Sequence, residues 1–133
     1  MISTRGRYAL RVMIDLAEHQ PEGFIPMKEV ADRQGISLKY LEQILPVLSQ
    51  NHYVKAVHGK GGGYLLAKPA SEIRVGDILR LTEKELAPVA CLADDAEPCE
   101  RERVCPTLDF WKGYHKVISD YLDSKTLADF LQS

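Results

Sequence analysis

The chain has 133 residues, of which 45% are hydrophobic and 27% are charged, and its formal net charge is −2. This composition is that of a globular protein that can bury a core. The sequence lacks a run of about 18 apolar residues, and its amphipathic beginning lacks the apolar centre of a secretory signal. We therefore expect no membrane span and a cytoplasmic location. Residues 1–68 carry nine Lys or Arg against six Asp or Glu, whereas residues 69–133 carry eight against thirteen. Residues 1–68 therefore have an excess of positive charge and are the better suited of the two halves to bind a polyanion.

Three helices are predicted within the first 50 residues. Ser3 or Thr4 can cap the first helix, whose apolar positions recur at i, i+3, i+4 and i+7: Leu10, Met13, Ile14 and Ala17. Pro26 suits the first position of a second helix that ends at Gly35. Ser37 is a candidate N-cap for a third helix, with a buried face at Leu41, Ile44, Leu45 and Leu48. The second and third helices, joined by "GIS", predict a helix-turn-helix.

A β-hairpin is predicted directly after these helices. The β-prone runs "YVKAV" and "YLLA" flank "HGKGGG", in which four glycines in six residues indicate a loop with positive φ angles. A helix-turn-helix followed by a hairpin is a winged helix. Apolar residues within 71–83 predict one more short helix that closes the domain.

The third helix has the composition of a DNA-reading element. The side chains expected toward solvent are Lys39, Tyr40, Glu42, Gln43 and Val47. Glutamine amides pair with adenine edges, glutamate accepts from cytosine, and lysine reaches guanine or phosphate. Backbone N–H groups near Ser37 suit a phosphate, and the hairpin tip with His58, Gly59 and Lys60 is slim enough for a minor groove. The alternative is an ordinary solvated face.

Pro46 interrupts the pattern of the third helix. A proline in a helix interior removes a backbone hydrogen bond and costs about 3 kcal/mol. We therefore expect a kink at this position, or a reading half that ends near Leu45.

All three cysteines lie in one polar segment, "CLADDAEPCERERVC", residues 91–105. The spacing Cys91-x7-Cys99-x5-Cys105 lacks the C-x2-C pair of a zinc knuckle or ribbon. An odd number of cysteines in a cytosolic chain favours a metal or a redox role over a disulfide framework. Soft thiolates suit an iron–sulfur cluster. A structural zinc site that uses a carboxylate or His115, and redox-active thiols without a metal, remain alternatives.

The stretches "GRYAL", "ISLKYLEQIL", "GKGGGYLLAKPASEI" and "VGDIL" resemble the IscR-type regulators of the Rrf2 family, in order and over essentially the whole chain. The resemblance implies a homodimeric winged-helix repressor that binds double-stranded operator DNA, with residues 37–43 in the major groove and the wing in the minor groove. It also implies a [2Fe–2S] or [4Fe–4S] cluster on Cys91, Cys99 and Cys105, and control of iron–sulfur, iron or redox homeostasis genes.

The resemblance divides the mainly α-helical chain into three parts. They are a winged helix-turn-helix DNA-binding domain at 1–85, a cysteine-bearing sensor loop at 86–106, and a dimerisation helix with a C-terminal helix at 107–133. Spacings that alternate between three and four predict one apolar seam on the long helix: Leu108, Trp111, His115, Ile118 and Leu122. Spacing alone does not separate a dimer seam from a core seam.

The sequence departs from its relatives where they complete the cluster. Leu108 stands at the position of the IscR-type histidine, and Arg7 at that of the aspartate in nitric-oxide-sensing members. His58 replaces the usual wing arginine. The cysteine spacing is closer to that of the rhizobial RirA-type iron regulators. The fourth-ligand candidates are Asp109, Glu102, Glu100 or an exogenous group.

The sequence also bears on two further functional classes. CymR-type relatives work without a cluster, so a regulator of cysteine metabolism controlled by thiol redox state or by an enzyme partner is the alternative, with the acidic second half as a protein-binding surface. An enzyme is not expected, since no nucleophile–base pair or paired carboxylates stand at catalytic spacing. "GKGGG" also lacks the ending of a phosphate loop.

Overall fold

The architecture is mainly helical with one two-stranded antiparallel hairpin, as the sequence predicts. The computed structural model describes residues 2–83, 86–87, 92 and 105–131. The helices are α1 (Thr4–Glu18), α2 (Met27–Gln34), α3 (Leu38–Gln50), α4 (Val75–Thr82) and α5 (Leu108–Ser124). The strands are β1 (Val54–Val57) and β2 (Gly63–Leu66), and short 3-10 turns lie at Gln20–Glu22, Ala70–Glu72 and Leu127–Phe130.

The helix boundaries follow the capping residues of the sequence. The Ser3 hydroxyl accepts from the backbone N–H of Gly6 at 3.2 Å and begins α1. Gly35 ends α2 in the left-handed region at φ 64°, which a residue without a Cβ adopts at little cost. The Ser37 hydroxyl then accepts from the N–H of Tyr40 at 3.1 Å and begins α3. Pro26 is the N-cap of α2 and not its first helical residue.

The helix α3 continues through Pro46 to Gln50. The helix is therefore not interrupted at Pro46, while a kink there, or a reading half that ends near Leu45, stays a prediction. Core residues on both sides of the proline hold the helix together, since Leu41, Ile44 and Leu48 are all buried. Burial of this apolar face outweighs the loss of one backbone hydrogen bond.

The hairpin is held against the helical part by a third extended segment. Within the hairpin, Val54 pairs with Leu66 and Val57 with Gly63. Ile25, just before α2, exchanges two backbone hydrogen bonds of 2.8 Å with Tyr64 of β2. The approach at Gly63 leaves no room for a side chain, because a Cβ there would lie 2.3 Å from the carbonyl oxygen of Ile25.

One hydrophobic core joins α1, α2, α3, the hairpin, α4 and the C-terminal turn. Its largest fully buried apolar side chains are Met13, Leu16, Leu41, Ile44, Leu45, Leu48, Ile73, Ile78 and Leu127. Leu127 belongs to the segment predicted for dimerisation, yet it lies in this core and its N–H donates to the carbonyl of Ile73 at 3.0 Å. The three-part division of the chain stays a prediction.

The long helix α5 is attached to α4 near its C-terminal end. Arg80 of α4 forms a bidentate ion pair with Asp123 of α5, with both N–O distances 2.8 Å. Just beyond α5, the carbonyl of Lys125 accepts from the N–H of Val75 at 2.8 Å. Since α4 also packs on α1 and α3, α5 is connected to the helix-turn-helix through α4. Across the described residues, no helix is long and apolar enough to cross a membrane.

Candidate DNA-reading surface and cysteine segment

The first two turns of α3 present an exposed polar face. Ser37, Lys39, Glu42 and Gln43 are exposed, while the opposite face of the helix is buried in the core. The backbone N–H groups of the first turn lack helical partners by geometry, so this end of α3 is electropositive. The arrangement provides donors and acceptors of the kind that can pair with base edges.

Tyr40 and Val47 depart from this face. Both are half-buried, so the prediction that they lie toward solvent holds only in part. The ring of Tyr40 packs edge-on against Tyr8 of α1, with centroids 5.4 Å apart. The guanidinium of Arg11 lies 5.2 Å from the centroid of the same Tyr8 ring. Tyr40 therefore supports α3 against α1.

The wing tip is exposed and narrow. His58, Gly59 and Lys60 are all exposed between β1 and β2. Gly59 and Gly61 have φ angles of 96° and 80°, which favour glycine. The tip therefore presents one imidazole and one ammonium group on a thin backbone loop, a shape suited to a minor groove.

A buried ion pair joins α1 to α2. Asp15 is only 1% exposed, and its carboxylate accepts from Arg33 Nε at 3.0 Å, Arg33 Nη2 at 2.7 Å and Gln34 Nε2 at 2.9 Å. Burial alone would raise the pKa of Asp15, but the hydrogen bonds from Arg33 and Gln34 and the charge of Arg33 outweigh it. The pKa of Asp15 therefore lies below its usual value.

The same network reaches the turn of the helix-turn-helix. Gln34 is the last residue of α2, and Arg11 of α1 donates from Nε to its side-chain oxygen at 3.2 Å and from Nη2 to its backbone carbonyl. We call Arg11, Asp15, Arg33 and Gln34 the α1–α2 clamp. It fixes the end of α2 immediately before Gly35 and so contributes to the position of α3. Sequence reasoning missed the clamp, because its partners are 18 to 23 residues apart.

The cysteine segment lies largely outside the described residues, and so do Cys91 and Cys99. Cys105 is half-buried, two residues before Thr107, the N-cap of α5, and its Sγ lies 3.6 Å from Thr107 Oγ1. Its thiol belongs to the donor class that iron–sulfur clusters use. In the described ranges, no three His, Cys, Asp or Glu residues are grouped as a metal site.

The predicted fourth ligands can be placed only in part. Asp109 is exposed in the first turn of α5, while Glu100 and Glu102 lie outside the described residues. Leu108 is 9% exposed, and Arg7 is an exposed cation, so neither suits a cluster. His115 of the zinc alternative is half-buried and lies two turns into α5.

Glu83, eight residues before Cys91, is anchored to the start of α1. Glu83, which follows α4, accepts from the backbone N–H and from the hydroxyl of Ser3, both at 2.8 Å. Gly6 leaves space for this carboxylate, since a Cβ there would lie 2.1 Å from Glu83 Oε1. The downstream flank runs directly into α5. The described residues on the two sides of the segment thus lie at the beginning of α1 and just before the long helix.

The helix α5 carries two apolar stripes on different sides. Of the predicted dimer seam, Leu108 is buried, Trp111, His115 and Leu122 are half-buried, and Ile118 is exposed. A second stripe is exposed throughout and includes Phe110, Tyr114, Val117 and Tyr121. Its spacings of four, three and four are the signal that sequence reasoning could have used to find it.

Comparisons with known proteins agree with the winged-helix fold described above. The profile of the Rrf2 family, described as an iron-dependent transcriptional regulator, matches residues 2–133. The HTH-type transcriptional regulator IscR of Serratia proteamaculans is 39% identical over 132 residues, which cover 99% of this chain and 79% of that protein. The solved structure of T. potens IscR has a TM-score of 0.77 at 40% identity and covers 98% of this chain and 85% of that one. The structure of CymR, the global cysteine regulator of B. subtilis, has a TM-score of 0.79 at 37% identity, and the match covers 98% of this chain and 95% of that one.

Proposed function

Since this chain belongs to the Rrf2 family of transcriptional regulators, we propose that it binds operator DNA as a homodimer and senses its signal through Cys91, Cys99 and Cys105. It is an IscR-like regulator and not an enzyme. The single observation that carries the DNA-binding proposal is the exposed polar face at the N-terminus of α3. A chromosomal target requires a cytoplasmic location.

Gln43 is the residue that we assign most strongly to base reading. Its exposed amide can pair with an adenine edge, and a good bidentate pair discriminates by about 1–3 kcal/mol. Gln43→Ala should therefore weaken binding to a selected operator about 5- to 150-fold while leaving binding to random duplex unchanged. Gln50→Ala, an exposed glutamine at the other end of α3, is the matched control. Equal losses on both DNAs would contradict the reading role.

The exposed stripe on α5 supports a dimer of this chain. Aromatic and branched side chains on a solvated helix face indicate a protein contact. A cavity of about 250 Å³ adjoins the end of the stripe and is lined by Val75, Tyr121, Leu122, Lys125, Asp129 and Phe130. A two-fold dimer also suits operators whose half-sites lie about 34 Å apart.

The dimer is tested by a charge placed in the stripe. Val117→Asp should convert the dimer to a monomer in sedimentation equilibrium. Val57→Asp places the same charge at an exposed valine of β1 and should leave the dimer intact. A monomeric wild-type protein, or a Val117→Asp protein that remains a dimer, would contradict this interface.

We assign a [2Fe–2S] or [4Fe–4S] cluster to the three cysteines. The soft donor class of the thiolates, the half-buried Cys105 just before α5 and the iron-dependent description of the family support it. When bound, the cluster supplies a group that responds to iron supply and redox state. Asp109, Glu100, Glu102 or an exogenous group would be the fourth ligand.

The chain's own contacts provide a route from the cysteine segment to DNA. Glu83 ties the upstream flank to the start of α1, and the downstream flank begins α5. The Arg80–Asp123 ion pair ties α5 to α4, which packs on α3. A change in the segment would therefore alter how α5 and α3 are placed in the dimer. Such two-state couplings are typically worth about 1–3 kcal/mol.

Anaerobic reconstitution with iron and sulfide tests the cluster. We expect visible charge-transfer absorbance and bound iron and sulfide, both abolished by replacing the three cysteines with serine. A colourless protein without iron would refute the cluster and leave DNA binding intact. Bound zinc that depends on His115 would favour the structural zinc alternative.

The second candidate function is a cluster-free regulator of cysteine metabolism. The similarity to CymR over 98% of this chain favours it. In that case oxidation of the thiols, or an enzyme partner, would change operator affinity in protein that holds no iron. A stoichiometric partner whose effect survives replacement of all three cysteines would favour the partner-controlled form.

A further inference from the structure

Leu38 is an apolar side chain that the fold does not use. It is the first residue of α3 and is 44% exposed. Among the described residues, it belongs neither to the core nor to the side chains packed against it. The hydrophobic contact that usually fixes the entry of a helix joins the residue before the N-cap to the fourth helical residue. Here these are Ile36 and Leu41, both buried, so Leu38 is not needed for that contact.

Leu38 lies on the same surface as the polar residues assigned to DNA. Residues four apart on a helix are neighbours, so Leu38 adjoins Glu42, just as Lys39 adjoins Gln43. The four side chains are all exposed and form one patch on the first two turns of α3. Leu38 is its apolar member and stands nearest the N-terminus.

The major groove offers one apolar group to such a side chain. Lysine, glutamate and glutamine can satisfy the donors and acceptors of base edges, whereas the C5-methyl of thymine is recognised by apolar contact. We propose that Leu38 is a specificity-determining residue that contacts a thymine methyl in each half-site of the operator. This inference rests on the proposed function, because it requires α3 to enter the major groove.

Replacing thymine by uracil removes the C5-methyl group and leaves every hydrogen bond of the base pair unchanged. The full-length protein would first select its preferred duplex from a random library. Each thymine of that duplex, in one half-site at a time, would then be replaced by deoxyuridine. Burial of one methyl-sized group is worth about 0.8 kcal/mol, so one position should lose about fourfold in affinity.

Protein variants connect that methyl to Leu38. In Leu38→Ala the fourfold difference between thymine and uracil at that position should disappear, and in Leu38→Met it should persist. Val57→Ala removes an equally exposed apolar side chain, 45% exposed, from β1, and should retain the difference. Circular dichroism would verify that each variant folds, which the exposure of both side chains favours.

The outcomes separate this inference from the function on which it rests. Failure to select any preferred duplex would overturn the proposed function and the inference with it. A preferred duplex without a uracil effect that depends on Leu38 would overturn the inference alone. The same holds if Leu38→Ala relaxes specificity at a position that holds no thymine.

Discussion

Asp15→Asn tests the α1–α2 clamp. Asparagine keeps the size of the side chain but removes the negative charge, and its amide points a donor at the donors of Arg33 and Gln34. Three hydrogen bonds of 2.7, 2.9 and 3.0 Å are affected, two of them from the guanidinium. The variant therefore leaves the cation of Arg33 without its buried counter-charge.

The size of the effect follows from the exposure of the two partners. Removing one member of a buried ion pair costs about 3–5 kcal/mol. Asp15 is 1% exposed, but the Arg33 side chain is 32% exposed and can recover part of its hydration. We therefore expect a loss near the lower end, about 3 kcal/mol of unfolding free energy. Urea unfolding followed by circular dichroism would measure it, at one fixed protein concentration because dissociation of the proposed dimer would contribute to the transition.

The pH dependence gives the clamp a second signature. The pKa of Asp15 in the folded chain lies below its usual value. Its contribution to stability is therefore complete above the unfolded pKa of about 3.9 and is lost as pH falls through the folded value. The difference between wild type and Asp15→Asn should have its full size near pH 7 and should shrink below about pH 4.

Asp32→Asn is the matched control for this prediction. Asp32 is an exposed carboxylate on the same helix as Arg33, and its replacement should change stability by less than about 0.5 kcal/mol. An Asp15→Asn protein as stable as wild type would refute the reasoning. So would a difference that is as large at pH 3 as at pH 7.

The remaining predictions concern the backbone of the winged helix and its connection to α5. Pro46→Ala should stabilise the protein by about 2 kcal/mol in thermal unfolding, because it restores a backbone hydrogen bond at an exposed position; a loss of stability would contradict this. Gly63→Ala should lower the free energy of unfolding by about 2–3 kcal/mol, because the new Cβ would meet the backbone carbonyl of Ile25. In the control Gly61→Ala the new Cβ meets no described atom within 4 Å, so the loss should be about 1 kcal/mol. Similar losses in the two variants would refute the close approach at Gly63. Arg80→Ala should cost only about 0.5–1 kcal/mol of stability, yet reduce the change in operator affinity on cluster loading; an unchanged response would exclude Arg80 from the coupling.

Most helix boundaries could be predicted because their signals are local. Ser37 caps α3 and Gly35 ends α2 through contacts within a few residues. The hairpin likewise follows from glycines next to β-prone runs. A capping hydroxyl or a positive φ acts on its own neighbours, so its sequence pattern is sufficient.

The clamp and the position of Tyr40 depend on distant partners. Asp15 lies 18 residues from Arg33, and nothing near either residue in the sequence indicates the pair. Helical spacing alone predicts that Tyr40 faces solvent, but its ring packs against the ring of Tyr8 in α1. A single sequence does not reveal which surfaces of two helices will meet.

The long helix shows a different limit of periodicity. Two apolar stripes on α5 have the same alternating spacing, and the predicted dimer seam is the one that contains Leu108 and Leu122. The ion pair of Arg80 with Asp123 and the burial of Leu108 turn that stripe partly toward the protomer. The stripe with Val117 stays exposed. Periodicity identifies such stripes but does not say which of them faces the chain's own core.

The most direct test of sensing compares operator affinity with and without the cluster. Fluorescence anisotropy on the selected duplex would be measured for reconstituted protein and for the same protein after iron chelation, anaerobically and at one salt concentration. We expect the two affinities to differ by about 5- to 150-fold in the wild type. They should be equal when Cys91, Cys99 and Cys105 are replaced by serine. Equal affinities in wild-type protein that demonstrably gained and lost iron would contradict regulation through these cysteines.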